Sequence, residues 1–326
     1  MTTSQSPLFL CMHYIAVAGA LLASVFVVNN FFTYIFDMPG LFGTFASIGI
    51  PIGDASGDYS AGKLAFGWLQ TLSFAVAFIY PVILLRNLDI SRDAKFLDGG
   101  ASFIVAGAFW SVMLIGIVDA AISFVRIEGF LPALVGDDLA LSLGKPAFRG
   151  TYVHIPLLAI GFGIAMLRKG IDFIWLASLI VFGELLIVIT RFIFSYEQAF
   201  MGDLVRFWYA ALFLFASAYT LIHDGHVRVD VIYAGFSEKA KNRTNMLGSL
   251  LLGLPLCWIV LFRGLWSESS PFNLALLNFE VTQQGFGMYV KYLMSGFLII
   301  FALSMIFQFS SFILSEMNKL RSETSA

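Results

Sequence analysis

The chain has 326 residues, of which 59% are hydrophobic and 12% are charged. An ordinary soluble domain carries about 25% charged residues and roughly 45–50% apolar ones, and it cannot hide more apolar surface than its interior holds. The composition therefore excludes a soluble globular protein and predicts a polytopic membrane protein. A formal net charge of −2 argues against a nucleic-acid partner, because no basic surface is available to replace the counterions.

Long apolar segments predict an all-α fold of about eight transmembrane helices, since roughly 20 apolar residues are needed to cross the hydrocarbon core. The segment at 151–167 is short and contains Pro156, so a re-entrant hairpin is the alternative there. The predicted spans, in chain order, are about 9–36, 65–85, 102–125, 151–167, 172–195, 204–223, 246–266 and 289–314.

The distribution of Lys and Arg predicts the orientation. Eleven of these residues fall in the connections after the second, fourth, sixth and eighth predicted spans, and four fall on the opposite side. Positively charged connections stay in the cytoplasm, so both termini are expected to be cytoplasmic. The two long outer connections, 37–64 and 127–150, are interpreted either as solvated loops or as ledges on which an outer partner docks.

Two acidic residues lie inside predicted spans, where a charge costs about 2.5–3.5 kcal/mol on insertion scales. Glu184 is the deeper one, and Arg191 follows it by seven residues, which places both side chains on nearly the same helix face. Asp119 and Arg126 have the same spacing. Both pairs are interpreted as structural ion pairs. An ion or proton site at Glu184 is the alternative.

No sequence motif predicts an enzyme or a cofactor. The chain has no phosphate-binding glycine loop, zinc motif or nucleophile elbow. Of its histidines, His13 and His154 are expected near opposite membrane surfaces and cannot share one haem. His13 and His223 are on the same side, so one haem site between them is conceivable. The plainer interpretation is that these histidines bond to lipid headgroups or loop carbonyls.

Several motifs in the second half of the sequence occur together in one known family. One predicted span closes on Thr190-Arg191-Phe192, and the next opens with Gly202-Asp203-Leu-Val-Arg206. This next span is followed by Gly225-His226-Val-Arg228-Val-Asp230, and Tyr289-Val-Lys291-Tyr-Leu-Met begins the last one. The pattern, over about residues 172–320, resembles the small Q-type (DctQ-like) membrane subunit of tripartite ATP-independent periplasmic (TRAP) transporters. Asp203 replaces the usual Glu, and Ser295 replaces a frequent Pro.

The resemblance implies a division into a Q-type four-helix region, 169–326, and an additional N-terminal four-helix region, 1–168, of unassigned role. It implies a non-catalytic scaffold without a cofactor, in the bacterial inner membrane, within a sodium-coupled transporter that takes up an organic anion. The implied partners are a large M-type elevator subunit, a periplasmic P-type substrate-binding protein and membrane lipids. The alternatives are a haem-bearing membrane redox subunit and an autonomous secondary transporter that uses Glu184.

The candidate site residues are charged side chains that would fix helix ends or the seam with the large subunit. His226 and Arg228 follow a predicted helix end, where they can cap unpaired carbonyl groups. The full set is Asp119, Arg126, Glu184, Arg191, Asp203, Arg206, His226, Arg228, Asp230 and Lys291.

Overall fold

The computed structural model describes residues 7–50, 58–85, 89–168, 174–196, 198–222, 231–281 and 287–325. In these ranges the regular secondary structure is helical, with no strand. The helices are α1 (Pro7–Ile35), α2 (Gly40–Ser47), α3 (Ala61–Leu84), α4 (Ile90–Ile127), α5 (Leu131–Val135), α6 (Asp137–Leu143), α7 (Pro146–Leu167), α8 (Ile174–Ile193), α9 (Met201–Ile222), α10 (Glu238–Leu265), α11 (Pro271–Leu277) and α12 (Lys291–Ser325).

The predicted transmembrane architecture is confirmed. Among the described residues, eight helices are long and apolar enough to cross a membrane: α1, α3, α4, α7, α8, α9, α10 and α12. The segment for which a re-entrant hairpin was the alternative is one continuous helix of 22 residues. With 38 and 35 residues, α4 and α12 are longer than the roughly 20 residues that a crossing requires.

Two of the spanning helices contain a widened turn immediately before a proline. Residues Gly150–His154 of α7 form a π-helical turn ahead of Pro156, and residues Ser249–Gly253 of α10 form another ahead of Pro255. Proline has no N–H to donate, and its ring collides with the carbonyl four residues earlier. A π turn removes this conflict by lengthening the hydrogen-bond step, so both helices continue through their prolines.

The chain forms two compact units. Unit 1 contains residues 1–101, 225–273 and 302–326, and unit 2 contains residues 102–224 and 274–301. Each unit takes segments from both sides of residue 168. The compact units are therefore not the sequence regions 1–168 and 169–326, whose separate roles stay a prediction.

Unit 1 is organised around the small-residue face of α1, which packs against α3 and α10. Ala16, Ala20 and Ala23 are completely buried on this face, so neighbouring helices can approach α1 closely. His13 is also buried, and its Nε2 lies 2.9 Å from Asp93 Oδ2. The expectation that His13 bonds to headgroups or loop carbonyls is therefore wrong, because a carboxylate of α4 takes that place.

The first long connection holds a packed helix. Helix α2 lies against α3, and the Gly40 N–H donates to Gln70 Oε1 over 3.1 Å. Gly40 has φ +61°, and a Cβ atom there would lie 2.4 Å from Thr33 Oγ1, so this position requires glycine. Residues 39–50 are consequently a structured ledge.

Within unit 2, α4 and α7 cross at a point where only small residues fit. The Ser111 hydroxyl donates to the Leu158 carbonyl of α7 over 3.2 Å. A Cβ atom on Gly161 would lie 2.5 Å from the Ser111 backbone nitrogen, and real structures do not tolerate such a contact. The crossing therefore depends on the missing side chain of Gly161.

We predict that Gly161→Val destabilises the protein, by about 1–3 kcal/mol or more, because the two backbones must separate. Gly163→Val on the same helix is the matched control, since a Cβ atom at Gly163 meets nothing within 4 Å. Thermal unfolding of the detergent-purified variants measures both effects. Equal melting temperatures for the two variants would contradict the described crossing.

Candidate functional site

A buried cluster of charged and aromatic side chains lies in unit 2. At its centre, the Asp119 carboxylate of α4 is fully buried. Its Oδ1 accepts a hydrogen bond of 2.8 Å from Arg149 Nη1 and lies 3.1 Å from His154 Nε2. Its Oδ2 accepts from the backbone N–H of Tyr289 over 3.1 Å. Three donors thus compensate the desolvation of this charge.

Arg149, in the first turn of α7, is the cationic partner of Asp119 and is also fully buried. Its Nε donates to the Leu143 carbonyl over 3.0 Å, and its Nη1 donates to the Ser123 hydroxyl over 2.9 Å. The guanidinium carbon lies 4.3 Å from the centre of the Tyr289 ring, a favourable cation–π distance. Arg149 therefore joins α4, the end of α6 and the segment before α12.

His154 continues the cluster toward α12. Its Nδ1 lies 2.8 Å from the Tyr292 hydroxyl, and the two rings are stacked with an interplanar angle of 19°. Because Nε2 faces a carboxylate, which only accepts hydrogen bonds, this ring nitrogen donates to Asp119. Both ring nitrogens of His154 are occupied, so neither is available to bind a haem iron. The expectation of a headgroup or loop carbonyl partner is wrong for His154 as well.

The predicted pair of Asp119 and Arg126 is wrong, because Asp119 pairs with Arg149. Seven helical residues rise by about 10 Å, which is too far for direct contact, whereas Arg149 reaches the carboxylate from another helix. Arg126 instead donates to the Tyr289 hydroxyl and, over 3.1 Å, to the Gly287 carbonyl. The Tyr289 hydroxyl in turn donates to the Gly144 carbonyl over 2.9 Å.

Asp203, in the first turn of α9, holds the same segment from a third direction. Its Oδ2 accepts from the Met288 N–H over 3.2 Å. A Cβ atom on Gly287 would lie 1.7 Å from this oxygen, so the close approach requires glycine. Three charged side chains, Arg126, Asp203 and Asp119, thus bind three consecutive residues, Gly287, Met288 and Tyr289.

The other candidate residues have different surroundings. Lys291 forms a half-exposed ion pair with Glu280. Glu184, Arg191 and Arg206 are exposed on α8 and α9. The predicted pair of Glu184 and Arg191 is not among the contacts of the described residues. His226, Arg228 and Asp230 lie outside the described residues, as does His223, the second histidine of the conceivable haem site.

The sequence interpretation missed Arg149, Tyr289 and Tyr292 as members of one cluster. Arg149 falls in a predicted outer connection, and no spacing rule relates it to Asp119, 30 residues earlier. The sequence offered only a weak indication of this pair. Asp119 lies inside a predicted span, and Arg149, like Arg126, is a basic residue in the connection that follows it. In the described part of the chain, no group of three or more His, Cys, Asp or Glu side chains has the arrangement of a metal site.

Comparison with known families assigns the second half of the sequence. Residues 180–316 match the family model for tripartite ATP-independent periplasmic transporters, DctQ component. This matched range, residues 180–316, is called the DctQ region below. The resemblance stated from the sequence motifs is thereby confirmed for this part of the chain. No curated protein and no solved structure matches the chain.

The limits of the DctQ region divide the buried cluster into two sets of residues. Asp119, Arg126, Arg149 and His154 precede residue 180, and Asp203 with the segment 287–292 lies inside the matched range. The buried ion pair and its hydrogen bonds therefore tie helices from outside the DctQ region to the start of its last helix.

We predict that Arg149→Met is strongly destabilising, because Asp119 is left as a buried charge without its cation. Removing one partner of such a pair costs about 3–5 kcal/mol. Combining it with Asp119→Asn should recover part of this loss. Lys291→Gln is the control, since it removes a half-exposed pair that contributes less than about 1 kcal/mol. Equal loss of unfolding free energy for Arg149→Met and Lys291→Gln would contradict the cluster.

Proposed function

We propose that the protein is the small scaffold subunit of a TRAP transporter in the bacterial inner membrane, without enzymatic activity. The proposed complex takes up an organic anion together with sodium. The observation that carries this proposal is the DctQ match at residues 180–316, in a chain whose described residues form eight helices able to cross a membrane. The family is a transporter component, and the sequence has no phosphate-binding glycine loop, zinc motif or nucleophile elbow.

The proposed partners follow from the family. DctQ components work with DctM and DctP components. In the proposed complex, the large M-type subunit carries substrate and sodium through an elevator motion, and the P-type protein delivers substrate from the periplasm. This chain stays fixed, and its residues 1–168 extend the fixed part of the complex.

The internal charges support a scaffold role more than a transport pathway. Asp119 and Arg149 are buried and bonded to each other, and Asp203 is bonded to the backbone before α12. Groups used in this way brace helices and are not free to bind a passing ion. We propose that Arg126, Lys291, His226, Arg228 and Asp230 also fix chain segments or helix ends, and that the exposed Arg191 and Arg206 belong to the seam with the large subunit.

The outer connections are proposed to help dock the binding protein. Helix α2 forms a packed ledge against α3, and the short helices α5 and α6 follow α4 in the chain. In the orientation indicated by the Lys and Arg distribution, both features face the periplasm. Packed ledges can present a defined surface to a partner, which favours docking over plain solvated loops.

We predict that transport needs all three proteins. Reconstituted in liposomes with the M-type subunit, the P-type protein and an inward sodium gradient, the chain should support uptake of organic anions, while the chain alone should transport nothing. Purification through a tag on the chain should recover the M-type subunit, identified by mass spectrometry. Uptake by the chain alone would show an autonomous transporter, and a Soret band in the purified chain would show a haem protein.

We predict that the connections on either side of α4 face opposite compartments. In a background with Cys11→Ser and Cys257→Ala, a membrane-impermeant maleimide should label Asp138→Cys from the periplasm. Ser91→Cys and Lys239→Cys, in the first turns of α4 and α10, should react only after permeabilisation. Both positions lie in stretches that are rich in Lys and Arg and are therefore expected in the cytoplasm. All three native positions are exposed. Labelling of Asp138→Cys and Ser91→Cys from the same side would contradict the topology.

A further inference from the structure

Glu184 is an exposed carboxylate in the middle of a membrane-spanning helix. It is the eleventh of the 20 residues of α8, so it lies about 15 Å from one end of the helix and about 14 Å from the other. Its side chain makes no hydrogen bond or ion pair with another residue in the described ranges. This position differs from that of Asp119, which is buried and fully bonded.

The direction of the side chain follows from the packing of α8. Leu176 and Gly183 are its buried residues, and a Cβ atom on Gly183 would lie 3.1 Å from a Val205 methyl group on α9. Glu184 is the next residue, so its side chain points about 100° away from this packed face. Apolar side chains that are 49–68% exposed surround it on the helix surface: Val181, Leu185 and Val188.

A lipid-facing surface does not account for this arrangement. Charged side chains at this depth are costly and almost always face protein or a water-filled cavity. The exposed face of α3 shows the contrasting case, since Leu72, Val76 and Ile79 line it without a charge. Arg191 and Arg206 are also exposed charges on α8 and α9, but Arg191 lies in the last turn of α8 and Arg206 near the start of α9. From these positions a long side chain can reach the membrane surface.

We propose that the face of α8 centred on Glu184 packs against a membrane-spanning helix of the large subunit, which presents a basic side chain to the carboxylate. This inference rests on the proposed function and adds the surface of contact to it. We expect a Lys or Arg on the partner helix, because such a residue provides both the opposite charge and the hydrogen-bond donors that Glu184 lacks. The exposed Val181, Leu185 and Val188 provide the apolar contact around the pair.

The test measures how much large subunit is recovered with tagged variants of the full chain. Glu184→Lys should lower recovery about tenfold or more, because two like charges would meet in an apolar interface. Glu184→Gln, which keeps a polar group of the same size, should lower it less. Val76→Lys, on the exposed face of α3, is the control for the general effect of a new lysine and should leave recovery unchanged.

A second measurement keeps the test independent of folding. A photo-reactive amino acid at position 181 or 188 should cross-link to the large subunit, and one at position 76 should not. Changing the basic residue identified at the cross-link to Glu should restore recovery of the Glu184→Lys variant. Size-exclusion chromatography of each variant alone tests whether the chain still folds.

Different outcomes separate this inference from the function it rests on. If the unaltered chain recovers the large subunit, but Glu184→Lys recovers it equally well and neither position 181 nor 188 cross-links, the inference is wrong and the function stands. Normal recovery with an altered sodium dependence of uptake in Glu184→Gln would also overturn the inference in favour of an ion site. If the unaltered chain recovers no large subunit, the proposed function itself is wrong.

Discussion

The packing of unit 2 depends on one buried charge, the carboxylate of Asp119. A buried carboxylate is tolerated only when donors replace the water that it loses. Arg149 and His154 of α7 and the backbone N–H of Tyr289 supply these donors. Because these donors belong to two other parts of the chain, α7 and the segment before α12, satisfying one side chain fixes the positions of α4, α7 and the start of α12. An apolar interface between the same elements would allow them to slide more freely.

This constraint gives the additional N-terminal helices a physical role. The segment Gly287–Tyr289, inside the DctQ region, is bonded by Arg126 and Asp119, which precede that region, as well as by Asp203, which lies within it. In this protein the last helix of the DctQ region therefore does not begin in a position set by that region alone. The helices before residue 180 complete the framework that holds it.

The sequence predicted the eight helices and the DctQ resemblance well, because both depend on local patterns such as apolar runs and short motifs. It did not predict the partners of the charged residues. The helical period suggested Arg126 for Asp119, although the true partner, Arg149, comes from a different helix and from what looked like a loop. A single sequence gives the spacing within an element, but contacts between elements depend on how helices pack. The partners of the histidines could not be predicted either, since His13 and His154 each lie within hydrogen-bond distance of a carboxylate of α4, Asp93 and Asp119.

The π turn of α7 explains why no helical wheel could have found the cluster. Arg149 and His154 are five residues apart, and in a regular α-helix they would point about 140° away from each other. The hydrogen-bond step of the π turn joins residues five apart, so it brings the two side chains to the same side of α7, where both meet Asp119. Pro156 favours this widened turn and thereby influences the direction of a buried arginine two turns away. The π turn ahead of Pro156 therefore places two side chains five residues apart, Arg149 and His154, on one side of α7.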